Sequence, residues 1–114
     1  MKVSTFVKKV KEGQFNNAAD MIKAWYIPIQ TKHDIALRIL EKCSANNNGY
    51  LYVDDFEKNI YFSMFVFNAY TGVEISEDFE TLLKEYDMLC SNDILDTVEQ
   101  QCRKDYNHVE EVLH

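Results

Sequence analysis

Residues 50–72 read YLYVDDFEKNIYFSMFVFNAYTG, and their pattern decides which fold the rest of the chain can build. Asp54 is followed three positions later by Glu57, which is the capping-box spacing of a helix N-terminus. Gly72 stands where a left-handed C-terminal cap belongs. Between these caps the residues are apolar on nearly every side, and such a helix is buried over most of its surface. We therefore predict a buried aromatic central helix over about 54–71, preceded by a brief extended run at 50–53.

The central helix is not a membrane span. A transmembrane helix needs about 20 predominantly apolar residues. This stretch is shorter, and Asn59, Ser63 and Asn68 interrupt it. We expect no contact with a membrane and assign the helix to a soluble core.

Upstream of the central helix, the apolar spacing predicts three helical segments. The first ends at Gly13, and Asn16 or Asn17 is placed to cap the second. Pro28 disfavours helix at the residue before it, so 26–29 is interpreted as an extended elbow. Thr31 with Asp34 resembles a second capping box that opens the third segment. The residues predicted to face inward are Val3, Phe6, Val7 and Val10; Met21, Ile22 and Trp25; and Ile35, Ala36, Ile39, Leu40 and Cys43.

Downstream, two more helix starts are predicted, one at Ser76 and one at Ser91 or Asn92. The helical pattern then continues almost to the C-terminus. The chain contains one Pro and three Gly, and has no internal repeat or linker. The predicted fold is mainly α, a single helical domain over 1–114 built as a compact bundle of five to seven helices. The predicted inward residues are Phe79, Leu82, Leu83 and Tyr86; Ile94, Leu95, Val98 and Cys102; and Tyr106, Val109, Val112 and Leu113.

The cysteines indicate a reducing compartment. Cys43, Cys90 and Cys102 are odd in number, widely spaced and lie beside apolar helical positions. This arrangement predicts buried free thiols rather than disulfides. The three histidines have no zinc-ligand spacing with them, so we expect no metal and no cofactor. No apolar run of a signal peptide follows Met1.

Charge is distributed unevenly along the chain, whose net charge is −7. Residues 1–40 hold seven Lys/Arg against three Asp/Glu, or +4, whereas residues 41–114 hold five against sixteen, or −11. The acidic part disfavours direct nucleic-acid binding, because phosphates would be repelled. The basic patch is centred on the first helix. Its candidate partner-binding residues are Lys8, Lys9, Lys11 and Lys23, on a face that is either merely solvated or in contact with an acidic neighbour.

No catalytic or calcium-binding motif is present in a complete form. Ser44–Asp55 has the spacing of a calcium-binding EF-hand loop with Gly49 at the glycine position, but it lacks a carboxylate at the first position and ends in Asp rather than Glu. We interpret it as a turn followed by a helix cap. Asp54 and Asp55 are adjacent, so they point about 100° apart on a helix and do not form an acid/base pair. There is no nucleophile elbow and no phosphate-binding glycine loop. We predict that the protein is not an enzyme.

Three segments carry a resemblance: WYIPIQTKHDIALRILEKC (25–43), YLYVDDFEKNIYFSMFVFNAYTGVEI (50–75) and KEYDMLCSNDILDTVEQQ (84–101). They resemble a family of small uncharacterised proteins encoded by phages and prophages of Gram-positive bacteria. The resemblance covers about residues 21–100. The chain departs from it at Asp55-Phe56, where a Ser-Pro usually follows the capping Asp, and again after the last matching helix. The matching residues are Tyr26, Pro28, Lys32, Asp54, Tyr61, Tyr70, Thr71, Tyr86, Asp87, Ile94 and Leu95.

The resemblance implies an origin and a fold, and no activity. With the charge pattern, it leads us to expect a non-catalytic phage protein that acts by protein–protein contact, as a virion structural component or an assembly factor. Its expected partners are other phage proteins or further copies of itself, in the host cytoplasm or within the virion. The alternative is an acidic inhibitor of a host nucleic-acid enzyme, an anti-defence protein whose surface mimics phosphate charge.

Overall fold

The structure, a computed structural model, describes residues 1–46 and 54–113. These two ranges contain six α-helices, one short 3₁₀ helix and no β-strand, apart from an isolated backbone bridge between Lys2 and Glu74. The predicted mainly α bundle is confirmed. The extended run predicted at 50–53, and most of the predicted turn and calcium-like loop, lie outside the described residues. The helices are α1 Val3–Lys11, the 3₁₀ helix Ala18–Met21, α2 Ile29–Asn46, α3 Asp55–Thr71, α4 Phe79–Ser91, α5 Ile94–Gln101 and α6 Arg103–Leu113.

Both predicted caps of α3 are confirmed. The Asp54 carboxylate accepts hydrogen bonds from the backbone N–H groups of Phe56 (2.8 Å) and Glu57 (3.3 Å). It satisfies donors that a helix start leaves without partners, and its charge lies at the positive end of the helix dipole. Gly72 adopts φ +73°, and its N–H donates to the carbonyl of Asn68 at 2.8 Å. Glycine adopts this left-handed conformation without steric cost, so the helix ends there.

Helix α3 is enclosed by the other helices, as its apolar pattern predicted. It packs against α2, α4 and α5. Aromatic contacts attach two further helices: Phe67 meets Phe6 of α1 edge-on at 5.7 Å between ring centroids, and Phe62 meets Tyr106 of α6 at 5.9 Å. The residues of α3 that are almost completely buried are Ile60, Tyr61, Phe62, Met64, Phe65, Val66, Phe67 and Tyr70.

The start of α2 differs from the prediction. The helix begins at Ile29, two residues before Thr31, and the carbonyl of Pro28 already accepts from the Lys32 N–H at 3.0 Å. Proline tolerates this position because the first helical turn needs no N–H donor from it. Asp34 accepts from the Gln30 side chain rather than forming the expected capping box. Ile35, Ile39 and Cys43 are buried as predicted, whereas Ala36 is half-buried and Leu40 is 50% exposed, because no described element covers that flank of α2.

The second predicted segment is only a short 3₁₀ helix. Asn17 caps it and forms a reciprocal capping box with Asp20. The backbone is already extended at Ile22, so Trp25 does not share a helical face with Met21 and is 50% exposed instead of buried. The N–H groups of Lys23 and Ala24 both donate to the carbonyl of Tyr70, which joins this segment to the end of α3.

Helix α4 begins two residues after the predicted start. Asp78, not Ser76, is the N-cap, and its carboxylate accepts from the Thr81 N–H at 3.0 Å. Ser76 instead donates from both its N–H (2.9 Å) and its hydroxyl (2.8 Å) to Glu85, which is buried on α4. The loop before α4 is therefore anchored by a carboxylate that the helical pattern alone did not mark.

The predictions for the start of α5, for the cysteines and for Val112 have different outcomes. Asp93, at φ +58°, precedes α5, so neither Ser91 nor Asn92 is its cap. Cys43 and Cys102 are buried thiols as predicted, but Cys90 is exposed on α4. Val112 is 41% exposed, because the inward face of α6 is set by Tyr106 and Val109.

Truncating a buried ring of α3 should destabilise the whole fold. We expect Phe67→Ala to lower the free energy of unfolding by about 3–5 kcal/mol, because the loss of buried surface and the cavity left behind add together. The matched control is Phe56→Ala on the same helix, where the ring is 60% exposed and, among the described residues, meets one aromatic ring, that of Phe79, at 6.5 Å between centroids. Its expected loss is at most about 1.5 kcal/mol. Urea denaturation measures both, and similar losses at the two sites would contradict the central role of α3.

Candidate functional site

The basic residues predicted to bind a partner lie around the end of α1. Lys8, Lys9 and Lys11 occupy its last turn, where positive charge complements the helix dipole. Lys8 is 4.0 Å from Glu12, an exposed i, i+4 pair that contributes little energy. Lys11 and Lys23 are exposed, and Lys9 is half-buried.

Two of these four lysines converge on one pocket. Lys9 and Lys23 line a cavity of about 210 Å³ between α1 and the end of α3. Its apolar lining comes from the side chains of Phe6, Phe15 and Met21. Lys8 and Lys11 are not part of this lining, so the structure divides the predicted patch into two pairs. A cavity lined by apolar residues and two lysines can accept a side chain that is apolar in its body and negative at its tip.

A second cluster lies at the junction of α2 and α6, and sequence reasoning did not place it among the sites. The Lys32 side chain is completely buried. Its ammonium nitrogen lies 2.9 Å from Asp105 Oδ1 and 2.6 Å from His108 Nδ1. It also lies 4.7 Å from the centre of the Tyr26 ring, a cation–π distance.

Asp105 collects the remaining donors of this cluster. Its second oxygen accepts from the Tyr70 hydroxyl at 2.7 Å and from the Ile27 N–H at 3.1 Å. Burial by itself would raise the pKa of Asp105, but the hydrogen bonds from Lys32, Tyr70 and Ile27 outweigh it and hold the pKa below its ordinary value. Burial, and then the bond to Asp105, raise the pKa of Tyr70. At neutral pH the carboxyl group is therefore charged and the phenol is protonated.

The cluster lies under an open cleft of about 400 Å³ lined by Trp25, Tyr26, Lys104, Asp105 and His108. Both oxygens of Asp105 are occupied by donors, and the Lys32 ammonium is held between two side chains. Among the described residues no buried side-chain nitrogen or oxygen lacks a hydrogen-bond partner. These hydrogen bonds join the 26–27 elbow, α2, α3 and α6, so the arrangement acts as a structural clamp.

The sequence pattern indicates that the two charged residues of this clamp stand at core positions. Lys32 precedes Ile35, Ile39 and Cys43 at helical spacing, so it stands in register with the buried stripe of α2. Asp105 stands likewise between Cys102 and Val109 on the inward side of α6. A lysine and an aspartate at core positions of two helices are typical of a buried ion pair, since such charges are almost never buried alone.

The arrangement does not form a metal site. In the two described ranges no group of three His, Cys, Asp or Glu side chains is placed to hold a metal ion.

Comparison with protein-family models, curated proteins and solved structures finds no match to this chain. No helix in the described part of the chain is long and apolar enough to cross a membrane.

Removing either charge of the clamp should lower the free energy of unfolding, and the two losses should be less than additive. We expect Asp105→Asn and Lys32→Met each to lower the free energy of unfolding by about 3–5 kcal/mol, because each leaves one buried charge without its partner. The double variant should lose less than the sum of the two, with a coupling of about 0.5–3 kcal/mol. Asp87→Asn, at an exposed carboxylate on α4, is the control and should change stability by less than about 0.5 kcal/mol. Strictly additive losses in urea titrations would show that the two charges do not stabilise each other.

Acid should remove the contribution of Asp105 to the stability of the native state. A carboxyl group whose pKa is lowered by folding stabilises the native state above its unfolded pKa, about 3.9, and loses that contribution as the pH falls through its folded pKa. The stability difference between the parent and Asp105→Asn should therefore be constant from about pH 7 to about pH 5 and shrink below about pH 4. Unfolding measured in urea across this range tests it, and a difference that persists unchanged at about pH 2 would contradict the lowered pKa.

Proposed function

We propose that this is a non-catalytic phage protein that works by binding other proteins, as a structural component of the virion or as an assembly factor. The observation that carries the proposal is the pocket between α1 and the end of α3, where Lys9 and Lys23 flank an apolar lining. Protein interfaces concentrate their binding energy in such places, where an apolar anchor fills a pocket and polar groups surround it.

The chemistry of the pocket defines the partner. An aromatic or aliphatic side chain fits the lining of Phe6, Phe15 and Met21, and a neighbouring carboxylate fits Lys9 and Lys23. The partner is therefore an acidic protein surface with a protruding apolar residue. Because Lys23 is exposed and Lys9 is only half-buried, the contribution of their charges should act mainly on the rate of association and weaken with salt.

Two further observations support the proposal. Lys32, the most completely buried charged residue of the described part of the chain, is held with Asp105 in a structural clamp and so contributes to folding, which supports a binding protein over an enzyme. Three residues of the phage-protein resemblance, Tyr26, Lys32 and Tyr70, meet in or beside this clamp, which supports a common fold with that family.

Neutralising the pocket lysines should weaken partner binding without unfolding the protein. We expect Lys9→Gln/Lys23→Gln to melt like the parent, because surface changes alter stability by less than about 0.5 kcal/mol. Its capture of phage proteins from lysates of phage-producing cells, quantified by mass spectrometry, should fall, and capture by the parent should fall as salt rises. The matched control is Lys8→Gln/Lys11→Gln, which makes the same change in charge outside the pocket and should retain more binding.

The inhibitor alternative makes the opposite prediction in the same assay. If the protein blocks a host nucleic-acid enzyme, both lysine variants should bind normally, and amide substitutions of exposed carboxylates such as Glu80 and Asp87 should abolish capture. That outcome would replace the assembly proposal.

A further inference from the structure

Helix α2 has a wider apolar face than the core covers. Its buried stripe is Lys32, Ile35, Ile39 and Cys43. A second stripe, which we call the outer stripe, runs beside it and consists of Ile29, His33, Ala36 and Leu40. Ile29 is 57% exposed and Leu40 is 50% exposed on this stripe. The spacing of four, three and four residues is that of a seam that packs against another helix.

The neighbouring elements extend the exposed apolar surface. Trp25 and Tyr26 lie at one end of the outer stripe and line the cleft shared with Lys104 and His108 of α6. Ala36 and Leu40 line a groove at the other end, together with Leu113 of α6 and the oppositely charged Asp55 and Lys58 of α3. We call this surface the α2–α6 face. Large exposed apolar patches on a small protein mark interaction sites, because water penalises leaving them open.

The charges along α6 indicate which partner fits the α2–α6 face. Lys104 lines the cleft near the start of α6, and Glu111 follows it by seven positions, about two helical turns, on the same side of the helix. Both are exposed. A partner of one charge sign would be attracted at one end of α6 and repelled at the other. A second α6 that runs antiparallel presents acidic residues to the basic end and basic residues to the acidic end. The surface is therefore complementary to itself, as a two-fold interface requires.

A single two-fold axis can relate both α2 and α6 to their copies in the second chain. Because Lys32 lies beside Asp105 and the 36–40 segment lies beside Leu113, α2 and α6 run in the same direction. An axis that crosses α2 between residues 34 and 35 crosses α6 near 108–109. It places Ile29 opposite Leu40 of the second copy, and Lys104 opposite the last turn of the second α6, where Glu111 lies.

We propose that the protein forms a two-fold symmetric homodimer through the α2–α6 face, with the two α2 helices antiparallel and Ile29 against Leu40 of the other copy. This goes beyond the proposed function, because the basic pocket belongs to α1, which packs on α4 and not on this face. The dimer presents that pocket twice. Two linked pockets bind a repeated acidic surface more tightly than one, since the second contact forms within the same complex.

Charge substitution at the paired positions tests both the dimer and its register. Sedimentation is measured for the parent, Ile29→Lys, Leu40→Glu and the variant carrying both, from about 1 µM to about 1 mM of chain. We expect the parent to reach twice the 13.4 kDa chain mass. Each single variant should associate at least about 10-fold more weakly, because it buries a charge without a partner.

The opposite charges should rescue each other when they meet across the interface. The double variant, and an equimolar mixture of the two single variants, should regain the dimer, because the introduced ammonium group of one copy then pairs with the introduced carboxylate of the other. Phe56→Glu, at an exposed ring that contacts Phe79 of α4, is the control and should dimerise like the parent.

Three results would overturn the proposal: a monomeric parent at the highest concentration, single variants that dimerise like the parent, or a double variant and mixture that stay monomeric. A measurement on the parent alone guards against a variant that fails to fold. Backbone amides of α2 and α6 should exchange hydrogen more slowly at about 1 mM than at about 1 µM, whereas those of α1 should not change. Equal exchange in α2 and α6 at both concentrations would also reject the dimer.

Discussion

The structure depends on the constraint that α3 is apolar around nearly its whole circumference from Ile60 to Tyr70. The rings and aliphatic side chains of this stretch must be removed from water, so the remaining helices are arranged around it rather than in a chain of neighbouring pairs. Phe67 engages α1 and Phe62 engages α6, while α2, α4 and α5 pack along its sides. The backbone groups at the two ends of α3 are satisfied by polar partners. Asp54 satisfies the first donors, and the last carbonyls turn to the Gly72 cap and to the N–H groups of Lys23 and Ala24.

The clamp, formed by Lys32, Asp105, Tyr70 and Ile27, fixes the positions of these apolar helices relative to one another. Hydrophobic packing alone tolerates small shifts between helices, whereas a buried carboxylate tolerates none that leave it without donors. The net energy of such a pair is small, because desolvation of both charges offsets most of their attraction. Its consequence is geometric. Asp105 holds α6 on α2 at one position, fixes the 26–27 elbow beside them, and so determines the shape of the cleft formed by Trp25 and Tyr26.

The same arrangement leaves two separate surfaces for other proteins. One is the small apolar pocket with Lys9 and Lys23, which suits an acidic partner. The other is the α2–α6 face, which is apolar along α2 and carries opposite charges at the two ends of α6. They differ in chemistry and lie on different helices, so binding at one leaves the other open. A homodimer with two outward pockets is a natural unit for a protein that connects or organises repeated subunits, and this is the sense in which the two proposals belong together.

The sequence by itself determined the elements that local rules control. Asp54 and Gly72 mark the ends of α3 because caps are local hydrogen-bonding devices, and the periodic residues of α1, α5 and much of α4 identified their own buried faces. For the remaining segments, the sequence did not determine which residues another part of the chain would cover. Leu40, Trp25 and Val112 are apolar at helical spacing and nevertheless exposed, while Lys32 and Glu85 are charged and nevertheless buried, because burial depends on what another part of the chain places opposite them. Lys32 and Asp105 are 73 positions apart, and only the tertiary structure brings them to 2.9 Å, where each charge offsets the cost of burying the other.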